Sequence, residues 1–131
     1  MCSPAMRDLK ERAVDNFIER LERMENEQLM LVVLFGSVAH GNDRDDSDID
    51  VLVVIDKEFD SPLQERHEAD RIADLAFDVD VEISGRRTIL SPFVATRAEY
   101  ESPLRDLIFH KIDEEGIVKY ASEPRRAVVS H

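Results

Sequence analysis

The sequence has no tryptophan and a single cysteine, Cys2, so the chain cannot close a disulfide on itself. Cys2 lies at a terminus, where chains usually fray, and reads as incidental. No apolar run approaches the ~18–20 residues that a bilayer crossing needs. The start, MCSPAMRDLKER, turns amphipathic at once and lacks the apolar stretch of a secretory signal. These absences predict a cytoplasmic protein with no membrane partner. Aromatic residues are also scarce, at 6%, so the core is expected to be mostly aliphatic. Positive charge is short as well: 17 Lys and Arg stand against 29 Asp and Glu, a formal net charge of −12. That balance opposes general binding to nucleic-acid backbones, which depends on cationic side chains. The acids serve solubility, a basic macromolecular partner or a metal site.

What is present is one domain's worth of chain, 131 residues without repeat, low-complexity tract or dividing linker. Leu9, Ala13, Phe17, Leu21 and Met24 recur at helical spacing, with Val14 and Ile18 beside them, predicting a helix over 4–25 capped by Ser3 with Pro4 in its first turn. The unbroken apolar run 29–35 predicts a strand buried on both faces, ended by Gly36. Residues 38–41 suggest a turn of helix and 42–46 an exposed loop. A second buried strand follows from Asp48, with acids only at its beginning. Ser61-Pro62-Leu63-Gln64 has the form of a capping box opening a helix to about Phe77. Asp78-Val79-Asp80-Val81-Glu82-Ile83 alternates strictly and predicts a third strand, turned by Ser84-Gly85. The stretch 86–101 gives no clear pattern. A last helix is expected from Ser102-Pro103 through Leu104, Leu107, Ile108 and Ile112, stopped by Gly116, then a short edge strand from Ile117 to Tyr120. This order predicts an α/β (α+β) fold, a small mixed β-sheet with helices packed on it. The domain is expected to fill 1–120, leaving 121–131 as a flexible tail.

Asp48 and Asp50, two residues apart at the start of an apolar strand, point to one face about 7 Å apart. Such a pair is costly unless a cation neutralises it, and Mg²⁺ takes oxygen ligands of this kind. Alternatively, both belong to a solvated loop. If the strand carrying Asp80 neighbours theirs, three carboxylates converge where two metal ions can act; otherwise Asp78, Asp80 and Glu82 line the wet side of an edge strand. A glycine directly after a buried strand, here Gly36, lets the backbone turn sharply and approach a ligand, and Ser37 adds a hydroxyl donor.

Together these read Phe35-Gly36-Ser37-Val38-Ala39-His40-Gly41, a polar loop, then Ser47-Asp48-Ile49-Asp50-Val51-Leu52-Val53, with ten residues between Ser37 and Asp48. This resembles the signature of the DNA polymerase β-like nucleotidyltransferase superfamily. The resemblance implies a nucleoside triphosphate, expected to be ATP, held through Gly36, Ser37 and Ser47. It implies Mg²⁺, expected as two ions, on Asp48 and Asp50. It also implies a third carboxylate as base or second-metal ligand, for which Asp80 matches best and Glu82 second. The chain is short for this superfamily and resembles its minimal members, often paired with an all-helical HEPN protein. In toxin–antitoxin pairs of that kind, AMP is transferred from ATP to a tyrosine of the HEPN toxin. Residues 108–117 also resemble the closing helix and turn of the minimal proteins. Position 40, often basic in relatives, is His40, a phosphate contact or a surface turn residue; His67, His110 and His131 show no metal-like spacing. Two other readings stay open. One is a non-catalytic module that neutralises or scaffolds a helical partner. The other is a small-molecule enzyme like the aminoglycoside nucleotidyltransferases.

Overall fold

The computed structural model describes residues 1–103 and 107–122, and for Ile108 the backbone alone. The elements run α1 (Pro4–Glu25), a single 3₁₀ turn (Asn26–Gln28), β1 (Leu29–Phe35), α2 (Gly36–His40), β2 (Ile49–Ile55), α3 (Pro62–Ser84), β3 (Leu90–Thr96), α4 (Arg97–Glu101), α5 (Leu107–Glu115) and β4 (Ile117–Ala121). The strands form one mixed sheet in the order β3-β2-β1-β4. β1 is antiparallel to β2 and β4, while β2 and β3 are parallel.

Strand alternation divides the core in two. Val32, Leu34, Val51 and Val53 face α1 and α3, where they meet Phe17, Leu21, Ile72, Ala76 and Val79. Val33, Leu52, Val54 and Ala95 face Tyr100 of α4 and Phe109 and Ile112 of α5. Both faces of β1 and β2 are therefore buried, which explains their continuous apolar runs. Full burial of each such side chain contributes about 1.5–3 kcal/mol. The amphipathic first helix forms as expected, its Ser3 hydroxyl accepting from Met6 N at 3.2 Å ahead of Pro4. The edge strand after Gly116 forms too, one residue longer than expected.

Four expectations change. Residues 78–83 are not a strand but the last turns of α3, which continues to Ser84. Val79 is buried in the core at a helical step from Ile72 and Ala76, whereas Val81 is 45% exposed. Ser84-Gly85 ends the helix: Gly85, at φ +61°, donates to Val81 O at 3.0 Å, and Arg86 N donates to Asp80 O at 2.9 Å. This is the paired-bond helix stop that glycine favours. The third strand instead comes from the patternless stretch, as β3. It is an edge strand, which is why Pro92 is tolerated within it. The loop after α2 is not wholly exposed, because Asp43 is buried against Lys10 of α1, with Nζ to Oδ2 at 2.6 Å. Lys10 also donates to Arg44 O at 2.6 Å. Burial alone would push the Asp43 pKa up, but the ammonium outweighs it and holds the carboxyl below its usual range. Finally, Cys2 is buried rather than frayed, beside a hydrogen bond that Ser3 N donates to the Asp45 carboxylate, Oδ1, at 2.6 Å. Leu104 and nearly all of the expected tail lie outside the described residues.

Candidate active site

The site is built where β1 hands over to α2. Phe35, the last residue of β1, pairs with Asp50 of β2. Gly36 follows at φ +72°, a conformation that side chains rarely adopt. A Cβ at Gly36 would collide with Asp50 Oδ2. The glycine is therefore required twice, for its backbone angle and for the room it leaves the carboxylate. Ser37 sits in the first turn of α2, and the helix stops at Gly41, also at φ +72°.

Asp50 shares its face of β2 with Leu52 and Val54, so it points to the α5 side of the sheet. It is half-buried, and its carboxylate has no hydrogen-bond or ion-pair partner among the described residues. Burial pushes its pKa up, and the neighbouring charge of Asp48 pushes it further. Asp48 lies just outside the strand and is exposed. Ser47 is a turn residue, its Oγ accepting from Arg44 N at 2.8 Å. A cavity of 430 Å³ opens beside these groups, lined by Gly36, Ser37, His40, Asp50, Lys111 and Glu115 among others. Its size suits a small-molecule ligand. His40 Nε2 meets Glu115 Oε2 across its rim at 3.3 Å.

Asp80 is not on a strand beside Asp50. It is on α3, 2% exposed, with Oδ1 accepting from Thr88 Oγ1 and Oδ2 from Leu90 N, both at 2.8 Å. Burial pushes its pKa up against these two bonds. Its carboxylate thus fastens the start of β3, next to the point where Ile49 N donates to Ile89 O at 2.8 Å. The residue paired with Asp50 on the adjacent strand is Ser91. Glu82 is ion-paired with Arg20 of α1 at the surface. Among the described residues no group of three His, Cys, Asp or Glu side chains is gathered to hold a metal ion. The donors that fit a hard divalent cation are the carboxylates of Asp48 and Asp50, two oxygen ligands of like charge, that of Asp50 half-buried and without a partner among the described residues. Mg²⁺ commonly takes one or two protein carboxylates and completes its shell with water and phosphate. Sequence reasoning missed Lys111 and Glu115, because nothing in their spacing ties α5 to a loop 70 positions earlier.

Three comparisons bear on this arrangement. The family described as Polymerase beta, Nucleotidyltransferase matches residues 18–118. A candidate protein adenylyltransferase of Methanocaldococcus jannaschii is 37% identical over 51 residues, 39% of this chain and 51% of that protein. The match thus spans about half the length of that curated relative. Among solved structures, a toxin–antitoxin with AMP-PNP superposes with a TM-score of 0.53 at 19% identity, covering 87% of this chain and 78% of the other. A variant of the toxin–antitoxin MntA-HpeT superposes at 0.52, with 18% identity and 87% and 77% covered. At such identities these likenesses concern the fold. No helix among the described residues is long and apolar enough to cross a membrane. The family match covers most of the chain and takes in both the Gly-Ser turn and the β2 acids, so the protein belongs to the polymerase β-like nucleotidyltransferase family.

Proposed function

We propose that the protein is a Mg²⁺-dependent nucleotidyltransferase that moves AMP from ATP to a hydroxyl on a helical protein partner of the HEPN kind, acting as an antitoxin. The observation that carries this reading is the half-buried, unpartnered Asp50 against Gly36, with Asp48 beside it and a nucleotide-sized cavity in front. Gly36 and Ser37 hold the β- and γ-phosphates, and Asp48 and Asp50 hold the cation, with Ser47 shaping the turn that presents Asp48. When bound, Mg²⁺ supplies charge for the phosphates and the departing pyrophosphate. The acceptor oxygen attacks the α-phosphorus in line, the bond from the α-phosphorus to the bridging oxygen breaks, pyrophosphate leaves, and the hydroxyl proton passes to solvent water. Asp80 enters as the anchor of β3, which keeps β2 and its acids in place. The name of the archaeal relative and those of the toxin–antitoxin neighbours support the choice of AMP and of a protein acceptor. The net charge of −12 suits a basic partner.

The test is to purify the protein with its co-expressed partner, add Mg²⁺ and ATP labelled on the α-phosphate, and weigh the partner intact. The expected result is label on the partner in AMP-sized mass steps, absent with Asp48→Asn plus Asp50→Asn. A tight complex without label would replace the enzyme by a binding module, and transfer retained by the double variant would refute the site.

A further inference from the structure

The cavity in front of Gly36 and Ser37 is closed on its far side by α5, which the sequence motif does not include. Two of the residues lining it can carry positive charge, His40 and Lys111. His40 is engaged by Glu115 at 3.3 Å. The exposed Lys111 ammonium has no hydrogen bond or ion pair with any described residue, although Glu115 stands one helical turn away, within reach of a pair. Glu115 meets His40 instead, and the ammonium has no counter-ion among the described residues.

The helix that carries Lys111 is well fixed. Its Phe109 stacks on Phe93 of β3 and meets Tyr100 of α4 edge-on, each at 5.7 Å between ring centres. Ile112, the next residue after Lys111, is 2% exposed. Gly116 ends the helix hard against β1, where a Cβ would crowd Val33 and Ile112 O at 2.5 Å. In a protein this acidic, a tetra-anionic ligand meets repulsion from nearly every direction, including from Asp48 and Asp50 themselves.

Building on the nucleotide reading above, we propose that Lys111 is the phosphate-contacting cation of the site, with Glu115 held off it by His40. Lys111 acts as a point charge on the β- and γ-phosphates held by Gly36 and Ser37, in the cavity that Asp50 also lines. The site is then completed by α5, an element about 60 residues beyond the acids in sequence.

Calorimetric titration with MgATP and, separately, with AMP tests this on the full chain. Replacing Lys111 by Gln should weaken MgATP binding about tenfold or more, as expected for loss of a charge-assisted contact. AMP, lacking the outer phosphates, should change by less than threefold, and Lys111→Arg should recover most of the MgATP affinity. Lys119→Gln, the same charge change on β4 outside this cavity, should leave MgATP binding as in the unaltered protein. Equal MgATP affinity in Lys111→Gln and the unaltered protein would overturn the assignment and spare the nucleotide reading. So would equal weakening of ATP and AMP, which marks a structural role. No MgATP binding by the unaltered protein would remove both.

Discussion

The two ends of the sheet treat paired carboxylates in opposite ways. At the end where β1 begins, Glu25 and Glu68 are nearly fully buried and share Lys57, its Nζ 2.7 Å from Glu25 Oε1 and 2.6 Å from Glu68 Oε2, while Arg71 Nη1 adds a second cation 3.2 Å from Glu68 Oε1. Burial raises the Glu25 pKa, with Glu68 adding to it; Glu68, also buried, is held low by Lys57 and by Glu25. Lys57 is itself raised, because its two acid partners outweigh the cost of burying it. At the other end, about 20 Å away along β1, Asp48 and Asp50 lie together and neither carboxylate is ion-paired with a described residue. One end closes its charge balance within the protein. The other leaves it open, and the glycine beside it makes room for the open state. Structural carboxylates come with partners in the fold; an adjacent pair without such partners among the described residues, with Asp50 facing a cavity, is what a bound cation would complete.

The contrast can be broken from either side. Replacing Lys57 by Met should have the largest effect on stability, about 3–5 kcal/mol at pH 7 by urea unfolding, because it strands the buried Glu25 and leaves Glu68 with the half-exposed Arg71 alone. Without the ammonium both carboxyls become raised groups, whose contribution is present below their unfolded pKa and lost as pH rises. The deficit should therefore shrink as pH falls toward the ordinary Glu value of about 4.3. A deficit independent of pH would mean that Lys57 acts through packing alone. Gly36→Ala should cost about 1–3 kcal/mol, from its positive φ and the collision with Asp50, and should abolish nucleotide binding with it. Alanine tolerated at both levels would show that the carboxylate does not depend on that gap. Asp50→Asn should have the smallest and opposite effect, raising the melting temperature slightly at pH 7. The folded pKa of Asp50 is raised, so its ionised form costs stability above that value, and the gain should vanish below about pH 4.

Much of this frame was legible in the sequence, for physical reasons that differ by element. The first helix, β1, β2 and the Gly-Ser turn announce themselves because burial on one face or two leaves a strict pattern, and Gly36 and Asp50 proved to be in contact. Asp78 to Ile83 misled because an alternating run can also be the end of a helix when its neighbours continue the helical step; Val79 follows from Ile72 and Ala76, and Gly85 stops helices as readily as it turns strands. That misreading carried Asp80 to the wrong layer. β3 was hidden because an edge strand with one exposed end and Pro92 has little periodicity to show. Lys111 and the Lys57 cluster depend on contacts between distant elements, which no local pattern reports.

The most direct test of the open charge balance is the melting temperature with and without Mg²⁺, measured at pH 7 in the presence of ATP, for the unaltered protein and for Asp48→Asn plus Asp50→Asn. The account predicts that Mg²⁺ stabilises the unaltered protein, through binding to the folded state alone, and leaves the double variant unmoved. Equal stabilisation of both, or of neither, would contradict it.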